Sequence, residues 1–303
     1  MSSTVILIRC VSYDARIQQI LDEFAEHLRG WTVIPVPDFT NLAPEDHAEA
    51  ISRFPVDALP ITQDFVRESG LHLAGNKTGW LCGDYAFYRA LEAEWDFAWI
   101  TEPDVYFLND AHLLLSRTSV FDHGLLGTHY WRAPEEWTWR APLNTLRPDL
   151  EVYGMAFPLM RVSRELVEQA FAVRRSITPL LGEEHKVPND ESVMATAAHH
   201  HGHRVLDLEK LFAPVFKYWS TVTRRPVSDI MAVDTEPRIV HSGLEPERYM
   251  AYLMYHWRQV TKGAKASKDH ISRALSAASS DTYREFIEGV MDAELEKVRK
   301  LAQ

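Results

Sequence analysis

The sequence is poor in cysteine, with two in 303 residues, Cys10 and Cys82, each inside an apolar stretch. That argues against a disulfide framework and against a cysteine-based zinc site, and it points to a reducing compartment. Positive charge is short as well. Lys plus Arg number 32 against 43 Asp plus Glu, a net charge of -11. Broad nucleic-acid binding is therefore not expected, since a phosphate backbone would be repelled rather than neutralised. No apolar run reaches the roughly 18 residues that a transmembrane helix needs. The start MSSTVILIRCVSYDARIQQ has no basic stretch before its short apolar run, so the expectation is a cytoplasmic protein with no transmembrane segment. No internal repeat is present, and the only biased stretch is SRALSAASS. What is there, 46% hydrophobic, 25% charged and 11% aromatic residues, is the composition of a soluble globular protein long enough to bury its own core.

Residues 4–11, TVILIRCV, are apolar without alternation, as in a strand buried on both faces of a parallel sheet. Asp14 caps a predicted helix to about Gly30, with Ile17, Ile20, Leu21, Phe24 and Leu28 on one stripe, and WTVIPVPD returns as a second strand. Proline-broken loops and short helices are expected from Asn41 to about Gly75. A helix over 82–94 then leads to a strand over 96–100, whose carboxyl end carries Glu102, Pro103 and Asp104. Further on the pattern predicts a helix over 113–121, strands in GLLGTHYW and EVYGMAFPLMRVS, and a helix over 164–176. A helix from Asn189 to about His201, a strand in HRVLDL and a last short strand in RIVHSG complete this part. From Pro246 only helical periodicity remains, through Tyr283, Phe286, Ile287, Val290, Met291, Leu295 and Val298. The expected class is α/β, with one domain over 1–245 and a helical extension over 246–303. The apolar stripe suggests packing on the core or homo-oligomerisation through the C-terminal helices.

Acids at a strand's carboxyl end stand where open α/β sheets bind ligands. Glu102 and Asp104 on a tight turn suit a shared Mn or Mg ion, both being oxygen donors. Between Tyr130 and Arg140, Trp131, Trp137 and Trp139 lie in a proline-containing loop, where indole faces suit the apolar faces of a sugar acceptor. The run His199–His201 with His203 does not read as a metal site, because neighbouring residues on a helix point about 100° apart.

Gly83-Asp84 within WLCGDYAFYRAL, followed by a strand and by Glu102-Pro103-Asp104 within DFAWITEPDVYF, resembles nucleotide-sugar glycosyltransferases of the GT-A fold. The resemblance runs in element order over about residues 4–243 and implies a Rossmann-type mixed sheet flanked by helices. It implies a metal-dependent, inverting transfer of a sugar from a nucleoside diphosphate-sugar, with a UDP-sugar as first choice, to a carbohydrate or other hydroxyl acceptor, as in polysaccharide biosynthesis. Asn189-Asp190-Glu191 is similar to the acidic motif that supplies the catalytic base, which makes Asp190 the expected base and Glu191 its substitute. His241 is placed like the late histidine that completes a metal shell with Asp104 and Glu102, and Gly154 looks like an acceptor-side glycine. Asp84 is expected near the nucleoside, and Lys77 against nucleotide or phosphate. Glu102 departs from the family pattern, in which an Asp stands first. The alternatives are a nucleotidyltransferase and a non-catalytic carbohydrate- or partner-binding protein on the same fold. The first is disfavoured because only VSYDAR, not a glycine-rich basic loop, follows the first strand.

Overall fold

The computed structural model describes residues 3–182 and 184–301; the side chain of Val298 and residues 302–303 of the expected extension lie outside what is described. Contacts group the chain into two units: the residues up to Pro103 with His112–Ala213, and Asp104–Ala111 with Pro214 onward.

The first unit opens with β1 (Thr4–Cys10), α1 (Ala15–His27) and β2 (Thr32–Pro37). The short helices α2 (His47–Ser52), α3 (Gln63–Glu68), α4 (Thr78–Leu81) and α5 (Tyr85–Arg89) lead to β3 (Phe97–Thr101). After the short strand β4 (Val105–Leu108), which belongs to the second unit, come α6 (Leu113–Arg117), β5 (Leu125–Arg132), α7 (Arg140–Leu146) and β6 (Tyr153–Ser163). The unit closes with α8 (Arg164–Ile177), α9 (Asp190–His200), β7 (Val205–Asp207) and α10 (Leu208–Leu211). Its sheet is six-stranded and mixed, in the order β2-β1-β3-β6-β5-β7. β1 pairs in parallel with both β2 and β3, and β6 runs antiparallel to β3 and β5, so β1, β2, β3, β5 and β7 present their carboxyl ends at one edge. This is the mixed α/β sheet flanked by helices that the sequence predicts. The continuous apolar run of β1 has its cause here, because Ile6, Leu7 and Ile8 are buried on both faces of a central strand. Asp14 caps α1 by accepting from Ile17 N, which fixes where the first helix starts.

The second unit holds β4, β8 (Arg225–Pro226), α11 (Val227–Val233), β9 (Arg238–His241), β10 (Gly243–Leu244), α12 (Pro246–Thr261), α13 (Lys265–Leu275) and α14 (Ser280–Leu301). β4 pairs antiparallel with β9, and β8 in parallel with β10. Tyr249, Leu253, Ala274 and Phe286 form the core of its helices. The sequence draws a boundary at 245, whereas contacts group residues 214–244 with the helices, since β10 pairs with β8 and α12 begins directly after it. SRALSAASS is only half a linker: its first four residues finish α13 and the rest spans the gap to α14.

The helix expected over 82–94 is broken. α4 ends at Leu81 and α5 starts at Tyr85, with a 3-10 turn over Ala90–Glu92. Gly83, in the gap between the two helices, packs directly against Asp190 and Arg9.

Candidate functional site

In the first unit, β1 sends one crossover to β2 on one side, and β3 lies on its other side, so the strand order reverses at β1. A crevice outside the carboxyl ends at such a point is where open α/β sheets take ligands. Arg9, the charged exception in the apolar run of β1, reaches across it. Its guanidinium is ion-paired to Glu102, which directly follows β3, and donates to the carbonyl of Gly79. Asp190 Oδ2 lies 3.8 Å from the same guanidinium and accepts the Gly83 N–H at 3.0 Å. A Cβ on residue 83 would overlap both Asp190 Oδ2 and Arg9, so glycine is required there by close approach.

Asp190 is the first residue of α9, after the Asn189 cap, whose side chain accepts from Ser192 N. A helix start lowers the basicity of a carboxylate, yet burial outweighs it here. Desolvation holds Asp190 well above the usual carboxylate range, with Arg9 pulling the other way, and it pushes Glu191 up to about 7. Burial also works against the charge of Arg9, but Glu102 and Asp190 more than offset it and its pKa is raised. The cluster is therefore a cation, Arg9, between Glu102 and Asp190, with Asp190 made basic by burial and the next residue, Glu191, raised likewise.

Asp84 does not join it. The residue is 0% exposed. Arg174 grips both carboxylate oxygens, Nε to Oδ2 at 2.6 Å and Nη2 to Oδ1 at 2.8 Å, and the Tyr88 hydroxyl donates to Oδ2 at 2.7 Å. Both oxygens of the residue expected near the nucleoside are thus engaged by a buried ion pair, while its charge still reaches Arg9 and Asp190. Lys77 is exposed at the start of α4, two residues before Gly79. A cavity of 360 Å³ opens beside the carboxyl ends of β1 and β2, with Ser12, Tyr13, Phe39 and Arg53 among its walls.

Gly154 lies directly against two of the indoles, since a Cβ there would sit 2.8 Å from Trp137 and 2.9 Å from Trp131. Those indoles meet edge-on at 5.3 Å, and Trp139 meets Trp80 likewise at 5.5 Å.

In the second unit, β4 and β9 pair so that Val105 stands opposite His241. Asp104 Oδ1 lies 3.8 Å from His241 Nε2, while Oδ2 accepts from Arg224 at 2.5 Å. Asp104 Oδ1 is buried without a hydrogen-bond donor among the described residues. A carboxylate oxygen and an imidazole nitrogen at that separation fit as neighbouring ligands of one divalent cation, the carboxylate being a donor that suits Mn or Mg.

Arg9, Arg224 and Trp80 escape the sequence reading. Arg9 alone carried a signal, as a charge in a strand buried on both faces must have a partner.

The fold and the first cluster define an α/β protein with a polar, doubly charged crevice at the carboxyl edge of a mixed sheet. No protein-family model matches the chain, and no curated protein matches it. Among solved structures it is similar to glucosyl-3-phosphoglycerate synthase from Mycobacterium tuberculosis, crystallised with Mn2+, UDP and phosphoglyceric acid, at 14% identity and a TM-score of 0.34. That likeness covers 55% of this chain and 58% of the other, so the chain spans little more than half the length of that protein. It is also similar to the galactosyltransferase LgtC, crystallised with donor and acceptor sugar analogues, at 8% identity and a TM-score of 0.41, over 77% of this chain and 80% of that one. Mouse xyloside xylosyltransferase 1 gives 13% identity and a TM-score of 0.40, over 78% and 97%.

Proposed function

We propose that the chain is a glycosyltransferase that moves a sugar from a nucleoside diphosphate-sugar to a hydroxyl acceptor with inversion at the anomeric carbon, using Mn or Mg. The observation that carries this reading is Asp190, a carboxylate made basic by burial, held by the Gly83 N–H and set 3.8 Å from Arg9 at the strand-order reversal. An inverting transfer needs one base on the acceptor side and a counter-charge for the departing diphosphate. Asp190 takes the acceptor's proton, with Glu191 beside it as the second carboxylate. Arg9 faces the negative charge that develops as the glycosidic bond breaks. The cavity beside β1 and β2, walled by Tyr13 and Phe39, suits the nucleoside, and exposed Lys77 is a further phosphate contact.

Asp104 and His241 would hold the divalent cation, with Glu102, two residues earlier in the chain, as a further acid; when bound, the ion neutralises the diphosphate leaving group. Arg224, which now grips Asp104, is the cation that phosphate oxygens would meet beside it. UDP remains the first nucleotide to try, a carbohydrate the first acceptor, and the cytoplasm the proposed compartment. Among the described residues no helix is long and apolar enough to cross a membrane.

Asp190→Asn tests the assignment. It leaves the Asn189 cap and the fold in place, so melting and nucleotide binding stay near normal while turnover falls at least about 10²-fold. Turnover within a few-fold of wild type would refute the base, and product NMR showing retention of anomeric configuration would refute inversion.

A further inference from the structure

The indoles do more than form a single platform. Trp80, 63% exposed on α4, follows Gly79, whose carbonyl Arg9 holds. Trp80 meets Trp139, and Trp137, two residues before Trp139, meets Trp131. The four indoles thus form two pairs, one starting beside the Gly79 carbonyl that Arg9 holds and one ending on β5, with Trp137 and Trp139 half-buried against the core. Beyond Trp131 a cavity of 510 Å³ opens by the ends of β5 and β7, lined by His129, Tyr130, Trp131, Asp207, Glu209 and Lys210. β5 stands three strands from β1 in the sheet, about 14 Å at the usual spacing, which is longer than one sugar ring.

The cavity is shaped by an irregular strand. β5 slips register against β6 between Leu126 and Thr128 and again between Thr128 and Trp131, and His129 adopts a left-handed backbone at φ 51. Such a conformation is disfavoured in a non-glycine residue and persists where the surroundings impose it. Here His129 Nδ1 lies 3.1 Å from Glu209 Oε2, and both side chains are partly exposed. Asp207 is already engaged: Oδ1 accepts from Glu209 N and Lys210 N, and Oδ2 lies 3.3 Å from the Lys210 ammonium. Each acid in the wall has a basic neighbour, so nothing selects a strongly charged ligand. Aromatic faces and an imidazole–carboxylate pair that can both donate and accept suit a neutral ring bearing hydroxyls.

We propose that this cavity is a distal acceptor subsite and that the acceptor is a neutral oligosaccharide lying along these indoles, rather than a single sugar or a small alcohol. The proposal rests on the glycosyltransferase reading, and its test separates the two. Wild-type protein is titrated calorimetrically with glucose α-1,4, glucose β-1,4, mannose, galactose and N-acetylglucosamine oligomers from two to six residues, and separately with UDP or GDP plus Mn. At least one oligomer series should bind with an affinity that climbs with length and then levels off. Glu209→Gln, at a partly exposed position, and Trp131→Phe should each weaken the longer oligomers at least about 10-fold, as loss of an interface anchor does, while leaving the nucleotide unaffected. If no series binds, or if affinity is independent of length, while the nucleotide binds with Mn, the subsite is overturned and the transferase reading stands. Length-dependent oligomer binding with no metal-dependent nucleotide binding would instead overturn the acceptor role together with the transferase reading.

Discussion

At residue 83 the backbone itself is part of the candidate site. The Gly83 N–H is bonded to Asp190, and a methyl group there would overlap both Asp190 and Arg9. Gly83→Ala should therefore displace the proposed base, lowering turnover at least about 10-fold at a stability cost of about 1–3 kcal/mol, the range of an overpacked site. Steady-state kinetics beside urea denaturation would read both effects, and unchanged turnover would contradict the geometry. Glu191 supplies a pH signature. Its folded pKa of about 7 stands above the ordinary value of 4.5 because of burial, so between those values the folded chain keeps a proton that the unfolded chain releases. The stability contributed by that raised pKa is present below about 4.5 and is lost as pH rises through about 7. Subtracting the denaturation profile of Glu191→Gln from that of the wild type should give a difference that falls across this window, and a flat difference would contradict the burial argument.

At the scale of elements, the strands were legible and the joints between them less so. The unalternating run of β1, the cap at Asp14 and the return in β2 each follow from local pattern, and so does the cap at Asn189 that starts α9. The helix expected over 82–94 begins only at Tyr85, and the Gly83 N–H just before it is bonded to Asp190, 107 positions away, a demand no periodicity carries. Asp84 shows the same limit: a lone acid at a helix start gives no sign of Arg174, 90 residues on in α8. That pair ties α5 to α8 inside the core. Breaking a buried pair costs on the order of 3–5 kcal/mol, because one charge is left without its partner. Asp84→Asn should lower stability by about that much in urea denaturation, and replacing both residues by apolar ones, Asp84→Leu with Arg174→Met, should recover much of it. Normal stability with lost nucleotide binding would return Asp84 to the nucleoside. Arg9 and Arg224 were missed for a related reason, since a sequence does not say which arginine a given acid will meet.

For the molecule as a whole, the class and the strand edge were readable, whereas the grouping of residues 104–111 with the C-terminal segment was not, because it depends on the pairing of β4 with β9. The apolar stripe of α14 divides on folding. Phe286 enters the helical core, while Tyr283, Ile287, Met291 and Leu295 remain exposed. Exposed apolar residues at that spacing support the proposal of self-association through α14. Ile287→Glu with Met291→Glu should lower the mass seen by light scattering, and an unchanged mass would refute it. The central claim is that a divalent cation at Asp104 and His241 joins a nucleoside diphosphate to this chain, and one measurement meets it directly: calorimetric titration of UDP and GDP into wild type and Asp104→Asn, each with Mn and with EDTA. The account predicts binding by the wild type only with Mn, and loss of that binding in Asp104→Asn with melting unchanged. Equal affinity with Mn and with EDTA, or an undiminished Mn response in Asp104→Asn, would contradict it.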